Sequence, residues 1–388
     1  MLNPRCAYCD VEITPANQSR EHIIQNAIGG RKEVPNVFCR ACNSTFGNCW
    51  DSEAANQLHF LSLKLQVVRD DGEAPARDYR TMNGQNVRLH PDGHITLPPQ
   101  EPLVTEKDGK VHIQINAPNR RKALESLKGQ KRRYPKLDVK AAIDSVAYRE
   151  TYLDEPVFVS LQFGTDASYR SVVKSALTLA VSGGIQAKQC ARALQYLRPK
   201  GEFCFGFYYR RDLVINRPAD RVFHCVSIKG DPENRRLVGY VELFSIYRFV
   251  VCLSENYDGQ PVADSYSVDP TTGETLALTF DLDFSEDEFR FAVENLDETT
   301  AAAQGAAVRR VVGIVQRGSF DREQERVLRK AYDDTLKTLG LEPGQEMTPE
   351  IAMAMSKEIT SRVLPFLKHR ISAQAGGGFA KSSRRAQL

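Results

Sequence analysis

The chain has 388 residues, room for two or three domains of ordinary size. Hydrophobic residues make up 41% and charged residues 26%, the balance of a soluble globular protein, and a net charge of +3 is too small to name a partner. No stretch reaches the ~18–20 apolar residues of a spanning helix, and the opening "MLNPRCAYCD" has no apolar signal region, so no membrane and a cytoplasmic location are expected.

In chain order, residues 1–50 are dense in Cys, Gly and Asn and poor in apolar runs, so this segment needs a staple to fold. A helix is expected from near Cys42 to about Leu65, because Ala55, Leu58, Leu61 and Leu65 recur at helical spacing. Residues 68–160 read as β-rich, with hairpins around Pro91-Asp92-Gly93 and Asp108-Gly109 and a strand in "EPVFVSLQFG". The clearest helix runs from Asp166 to Gly184, capped by Asp166 or Ser168, with Val172, Val173, Ala176, Leu177 and Ala180 as its apolar face. On that face-count Lys174 belongs to the polar side. A second helix covers Ala187–Leu197, and four strand-like runs follow, "EFCFGFYY", "RVFHCVSI", "LVGYVELF" and "YRFVVCLS". From Ser285 the pattern turns helical, with "TTAAAQGAA" as a linker and "SAQAGGGFAKSSRRAQL" as a flexible basic tail. The fold class is α+β: a small N-terminal module (1–65), an α+β domain with antiparallel sheet (66–284), a helical C-terminal region (285–372) and a tail (373–388).

Charge is uneven. Arg120–Lys140 holds nine Lys/Arg against two acids (9 − 2 = +7), and Asp281–Glu298 holds eight acids against one Arg (1 − 8 = −7). The first suits a polyanion, and the second is expected to mask a basic surface of the same protein. Any charge run is also an ordinary solvated face. His90, His94 and His112 read as strand-face residues, and Cys49, Cys190, Cys204, Cys225 and Cys252 as core side chains or surface thiols.

Spacing sets the other four cysteines apart. Cys6-x-x-Cys9 and Cys39-x-x-Cys42 are two pairs separated by 29 residues. Each pair offers two thiolates from one turn, and together they complete a closed four-sulfur zinc site with no open position. Thiol redox use is the rival reading.

Between and beside the pairs lie "EHIIQNAIGG", "VPN" and "CRACN". An acid-His pair, a glycine turn, an Asn and a Cys-x-x-Cys-Asn in this order resemble the HNH endonuclease family, in its four-cysteine branch. The resemblance covers residues 5–52 and implies a ββα-metal fold braced by zinc. It further implies His22 as the general base, a role suited to an imidazole with its unperturbed pKa of about 6.5. Glu21 and Asn43 become the ligands of a divalent ion, Mg²⁺ or Mn²⁺, and Asn36 fastens the loop between the strands. Glu stands at the acid position where Asp is commoner, and Asn43 where His is common. Asp51 and His59 are secondary candidates. Gly29 and Gly30 are expected to let the loop approach a phosphate backbone, with Arg20, Arg31, Lys32 and Arg40 as phosphate contacts.

The function implied is metal-dependent hydrolysis of DNA phosphodiester bonds, with RNA as the lesser alternative. A small nuclease module fused to a large part without recognised chemistry is similar in plan to bacterial anti-phage defence effectors, which implies a protein partner. Two other readings stand beside it: a zinc-stapled nucleic-acid-binding module with a degenerate site, and an effector switched on by a ligand or partner through its C-terminal domains.

Overall fold

The computed structural model describes residues 4–376 other than 99–100, 108–109, 116, 118–119, 146–151, 154–155, 295–297 and 343. The chain opens on an antiparallel pair, β1 (Arg20–His22) and β2 (Glu33–Pro35). Helix α1 (Arg40–Phe46), a wider π turn (Gly47–Asp51) and α2 (Ser52–Lys64) then run without a break. This is the helix expected from the leucine spacing, and Leu58, Leu61 and Leu65 are buried. Short strands follow: β3 (Arg77–Thr81), β4 (Asn86–Leu89), β5 (Ile95–Thr96), β6 (Leu103–Lys107) and β7 (Lys110–Gln114). The basic segment forms helix α3 (Arg120–Arg133), with α4 (Val139–Asp144) and β8 (Val157–Phe158) after it.

Helices α5 (Asp166–Ser182) and α6 (Ala191–Leu197) precede five strands: β9 (Phe205–Phe207), β10 (His224–Asp231), β11 (Arg236–Leu243), β12 (Tyr247–Ser254) and β13 (Val262–Val268). Three helices end the described chain: α7 (Glu286–Glu294), α8 (Glu298–Leu339) and α9 (Pro349–Gly376). The expected linker at 299–307 is therefore helical, inside α8. Its five alanines are the strongest helix formers, which offsets the cost of Gly305. The turn at 108–109 and residues 377–388 of the tail lie outside the described residues.

Two compact units emerge, neither contiguous in sequence. The first gathers residues 1–77, 90–92 and 159–318, and the second 78–89, 93–158 and 319–388. The first is built on an antiparallel sheet in the order β13-β10-β11-β12-β9. Side chains Val172, Val173, Ala176, Leu177 and Ala180 of α5 are at most 2% exposed, and α5 packs across β10, β11 and β12. The approach is close: a Cβ on Gly239 of β11 would stand 2.9 Å from that of Ala176. Ile23, Ile24, Val37, Phe38 and Phe46 share this core, so the N-terminal segment and the sheet are packed as one body.

Thr165 caps α5, one residue before the expected cap. Its hydroxyl accepts the Ser168 N–H, and the Ser168 hydroxyl accepts the Thr165 N–H. Gln57 of α2 donates to the same Thr165 oxygen and accepts the Gly164 N–H. Thr165→Ala is expected to lower stability by about 1 kcal/mol, read as a lower urea midpoint at unchanged slope.

In the second unit, β5-β4-β3-β8 form one sheet, β6 and β7 a hairpin, and α3 packs on α4 through Ala123, Leu127 and Ile143. The acids from 281 onward pair within the first unit. Asp281 and Glu288 pair with Arg211, Asp283 with Lys229 and Glu286 with Arg236. These partners are borne by the sheet and its flanking loop, so four of the acids face basic residues of the same unit, while Asp287 and Glu294 are exposed.

Candidate functional site

The four cysteines come together first. Cys6 and Cys9 flank a turn closed by the Asp10 N–H to the Cys6 carbonyl, with Asp10 in the left-handed region at φ 60°. Cys39 is the N-cap of α1 and Cys42 lies in its first turn. All four Sγ atoms lie within 4.8 Å of one another, and Cys9 and Cys39 are 3.8 Å apart. A tetrahedron with ~2.3 Å zinc–sulfur arms has edges of about 3.8 Å, so the residues fit a structural zinc ion. Beside it Phe46 stacks on Trp50 at 4.0 Å, with Tyr8 and Phe38 edge-on to Phe46. Of the other five cysteines, Cys49 is exposed and four are core residues.

Strands β1 and β2 pair in the register Glu21↔Val34 and His22↔Glu33. Between them the chain makes one 3₁₀ turn, Asn26–Ile28, and leaves it through Gly29 at φ 97°. Both glycines of the pair are buried against protein rather than open to a ligand. A Cβ on Gly29 would lie 2.7 Å from Pro270, and one on Gly30 would lie 1.7 Å from the Ile24 carbonyl oxygen. The glycines thus serve packing, not phosphate approach. Gly30→Ala is expected to cost at least about 1–3 kcal/mol, measured by chemical denaturation. Neighbouring contacts hold the same loop: the Ile28 carbonyl accepts from His224 Nε2 (2.8 Å), and Tyr266 Oη accepts the Arg31 and Lys32 N–H groups (2.9 and 3.1 Å). Full burial drives the His224 pKa down to about 3, so it is a neutral structural histidine.

Alternation along β1 sends Glu21 and His22 to opposite faces. His22 is partly exposed, and its Nε2 lies 3.7 Å from Glu33 Oε1 and 3.6 Å from Asp70 Oδ2. Asp70 also pairs with Arg31 at 2.6 Å, and Glu33 with Arg20 at 2.6 Å. The imidazole therefore sits in an exposed ring of two carboxylates and two guanidinium groups. Asp70, 48 residues along the chain, carries no signal in the sequence.

Glu21 faces inward. It is 4% exposed and its Oε1 accepts a hydrogen bond from Lys174 Nζ, itself 1% exposed. The same Nζ donates to Asp51 Oδ2 at 2.6 Å, and Ser171 Oγ donates to Asp51 Oδ1 at 2.5 Å. Gln25 Nε2 donates in turn to Ser171 Oγ. Lys174 is thus a buried ion-pair partner, not part of a solvated face. Burial pushes the Glu21 carboxyl up, against the opposing pull of Lys174. Burial pulls the Lys174 ammonium down, but Asp51 and Glu21 outweigh it and its pKa is raised. Asp51 takes its place through the π turn and forms a salt bridge with Lys174.

Asn43 of α1 donates from Nδ2 to the Arg20 carbonyl at 2.8 Å, tying the helix to β1. Asn36 stands at φ 63° just after β2 and its N–H donates to the Ser19 carbonyl, so by its backbone it ties the outer ends of the two strands rather than the loop between them. Its Oδ1 is buried without a partner among the described residues. His59 bonds the Pro75 carbonyl at 2.9 Å. Of the four basic candidates, Arg20 and Arg31 are engaged with Glu33 and Asp70, Lys32 lies over the Tyr266 ring at 5.8 Å, and Arg40 is exposed. The fit to a hydrated divalent ion at Glu21 fails in this arrangement, because an ammonium already lies against its carboxylate and water is shut out.

Residues 6–59 match the family model of the HNH endonuclease. The matched span holds the four cysteines, both strands, α1 and most of α2. The match supports a nuclease-type function and a nucleic-acid substrate. No curated protein and no solved structure matches the chain. No helix of the described residues is long and apolar enough to cross a membrane.

Proposed function

We propose that the chain is an endonuclease that hydrolyses DNA phosphodiester bonds, with His22 as the general base. The observation that carries the reading is the β1–β2–α1 unit over the four-cysteine cluster, with His22 at its accessible edge. Carboxylates of Glu33 and Asp70 face Nε2, which favours the proton on that nitrogen and leaves Nδ1 as the basic one. His22 Nδ1 then takes the proton of the attacking water, and Lys32, Arg40 and the Arg20–Arg31 ring contact phosphates. Of the two residues that the resemblance names for a divalent ion, Mg²⁺ or Mn²⁺, Glu21 is held by Lys174 and Asn43 by the Arg20 carbonyl, so the reading rests on His22 and not on that ion. Exposed Lys128, Arg132 and Arg133 on α3 offer a second basic surface for the nucleic-acid backbone. A protein partner and a defence role rest on the plan of a small nuclease segment joined to a large body. The test is conversion of supercoiled plasmid to nicked or linear DNA, run beside His22→Ala and beside an RNA substrate. Equal rates for wild type and His22→Ala would favour the alternative, a zinc-stapled nucleic-acid-binding module.

A further inference from the structure

The first half of α3 is matched in charge. Arg120 pairs with Asp144, and Arg121 and Lys122 pair with Glu125. The chain from Lys128 to Lys140 is not matched. Lys128, Lys131, Arg132, Arg133, Lys136 and Lys140 are all exposed, and none makes an ion pair among the described residues. The one acid of that stretch, Asp138, caps α4 by accepting the Lys140 and Ala141 N–H groups. The local charge is therefore 6 − 1 = +5. Helix polarity accounts for only part of it. Cations suit the last turn of α3, where Lys131, Arg132 and Arg133 stand. Lys136 lies beyond that turn, and Lys140 lies in the first turn of α4, where a positive charge is unfavourable.

Exposed cations this close repel one another, and an anion that spans them relieves the repulsion. A nucleic-acid backbone does so, with one charge per ~3.4 Å of each strand. Lys128, Lys131 and Arg132 stand at i, i+3 and i+4, on one side of α3 and about 5–6 Å apart. A membrane surface fits less well, because insertion needs an exposed apolar stripe beside the cations. The apolar stripe of α3, Ala123 and Leu127, is packed against Ile143 of α4, and no large hydrophobic side chain is exposed between Arg120 and Ser145.

We propose that the surface from Lys128 to Lys140 is a nucleic-acid tether of the second unit, which holds the sugar-phosphate backbone without reading its sequence. Flexible cations on phosphate give affinity but carry no base information. The inference rests on the reading above in taking nucleic acid as the substrate, and adds a grip that does not depend on the segment carrying His22.

Fluorescence anisotropy of a labelled DNA duplex with the full chain, without added divalent ion and over a range of salt, tests it. Lys128→Gln/Lys131→Gln/Arg132→Gln/Lys136→Gln is expected to bind at least tenfold more weakly at low salt. Its plot of log affinity against log salt should be shallower by about 0.9 for each phosphate contact removed. Duplexes of unrelated sequence should lose affinity equally. Lys188→Gln/Arg198→Gln/Lys200→Gln/Arg235→Gln removes the same charge from exposed positions of the first unit and is expected to bind as wild type. Wild-type affinity and slope in the folded first variant overturn the proposal, as does an equal loss in the second, which would make the effect one of bulk charge. Lost sedimentation with phosphatidylserine vesicles at unchanged DNA affinity also overturns it and assigns the patch to a membrane. If circular dichroism shows the first variant unfolded, Lys128→Gln/Arg132→Gln carries the same test with half the change in slope. The two readings fail separately. Cleavage that depends on His22 with wild-type DNA binding in the first variant sinks the tether alone; weakened binding in that variant with no cleavage by wild type sinks the nuclease alone.

Discussion

His22→Ala is expected to slow plasmid nicking about 10²–10⁴-fold, the usual contribution of a positioned general base. The loss should appear in the rate rather than in DNA affinity. His22 is a partly exposed side chain in a ring of four charged groups, and removing it leaves Arg20, Arg31, Lys32 and Arg40 in place to grip phosphate. Binding by fluorescence anisotropy should therefore change little while cleavage collapses. Glu33→Gln with Asp70→Asn probes the orienting carboxylates, and its loss should be smaller, because the base itself remains. If His22→Ala cuts at the wild-type rate, the activity belongs to another site.

Removal of zinc is expected to have the largest structural effect. Structural zinc sites contribute on the order of 10–16 kcal/mol of apparent binding free energy at neutral pH in small peptides, and that energy is folding energy. Here Cys6 and Cys39 belong to the same buried core as Ile13, Phe38, Phe46 and the sheet. The single tryptophan of the chain, Trp50, stacks on Phe46 one helical turn past Cys42 and Asn43. Chelation, or Cys39→Ser, should release one zinc per chain, shift Trp50 emission to the red and abolish nicking together. Zinc release with unchanged Trp50 emission would show that the cluster does not hold the helix, and the account of the staple would fail.

Much of this site was legible because its signals are local. Four cysteines at two short spacings, an acid-His pair and a glycine turn lie within fifty residues, and the structure brings the four sulfurs together. Helix α5 and the strands ending in Tyr247–Ser254 were likewise legible from apolar spacing, since burial repeats with a helix or strand period. The contacts that decide the chemistry of Glu21 and His22 were not, because they join distant residues: Lys174 to Glu21, and Asp70 to His22. One signal for Lys174 was present. The stretch "SVVKSALTLA" is apolar or small all round, the mark of a helix buried on every side. A lysine in such a stretch is buried and needs an acidic partner. The π turn that brings Asp51 to that lysine has no comparable mark, because its hydrogen bonding depends on what packs beside it.

The stitching of the loop after β1 also bears on engineering. Ile28 is bonded to His224, Arg31 and Lys32 to Tyr266, Gly29 is pressed on Pro270, and Glu21 is tied to Lys174. A cassette of residues 1–65 cut out and grafted elsewhere would lose every one of these counterparts and uncover Ile23 and Ile24. The N-terminal segment is not portable. In recombination between relatives it would travel only with the sheet and α5 behind it, and a foreign segment grafted onto this body would leave Lys174 buried without its acids.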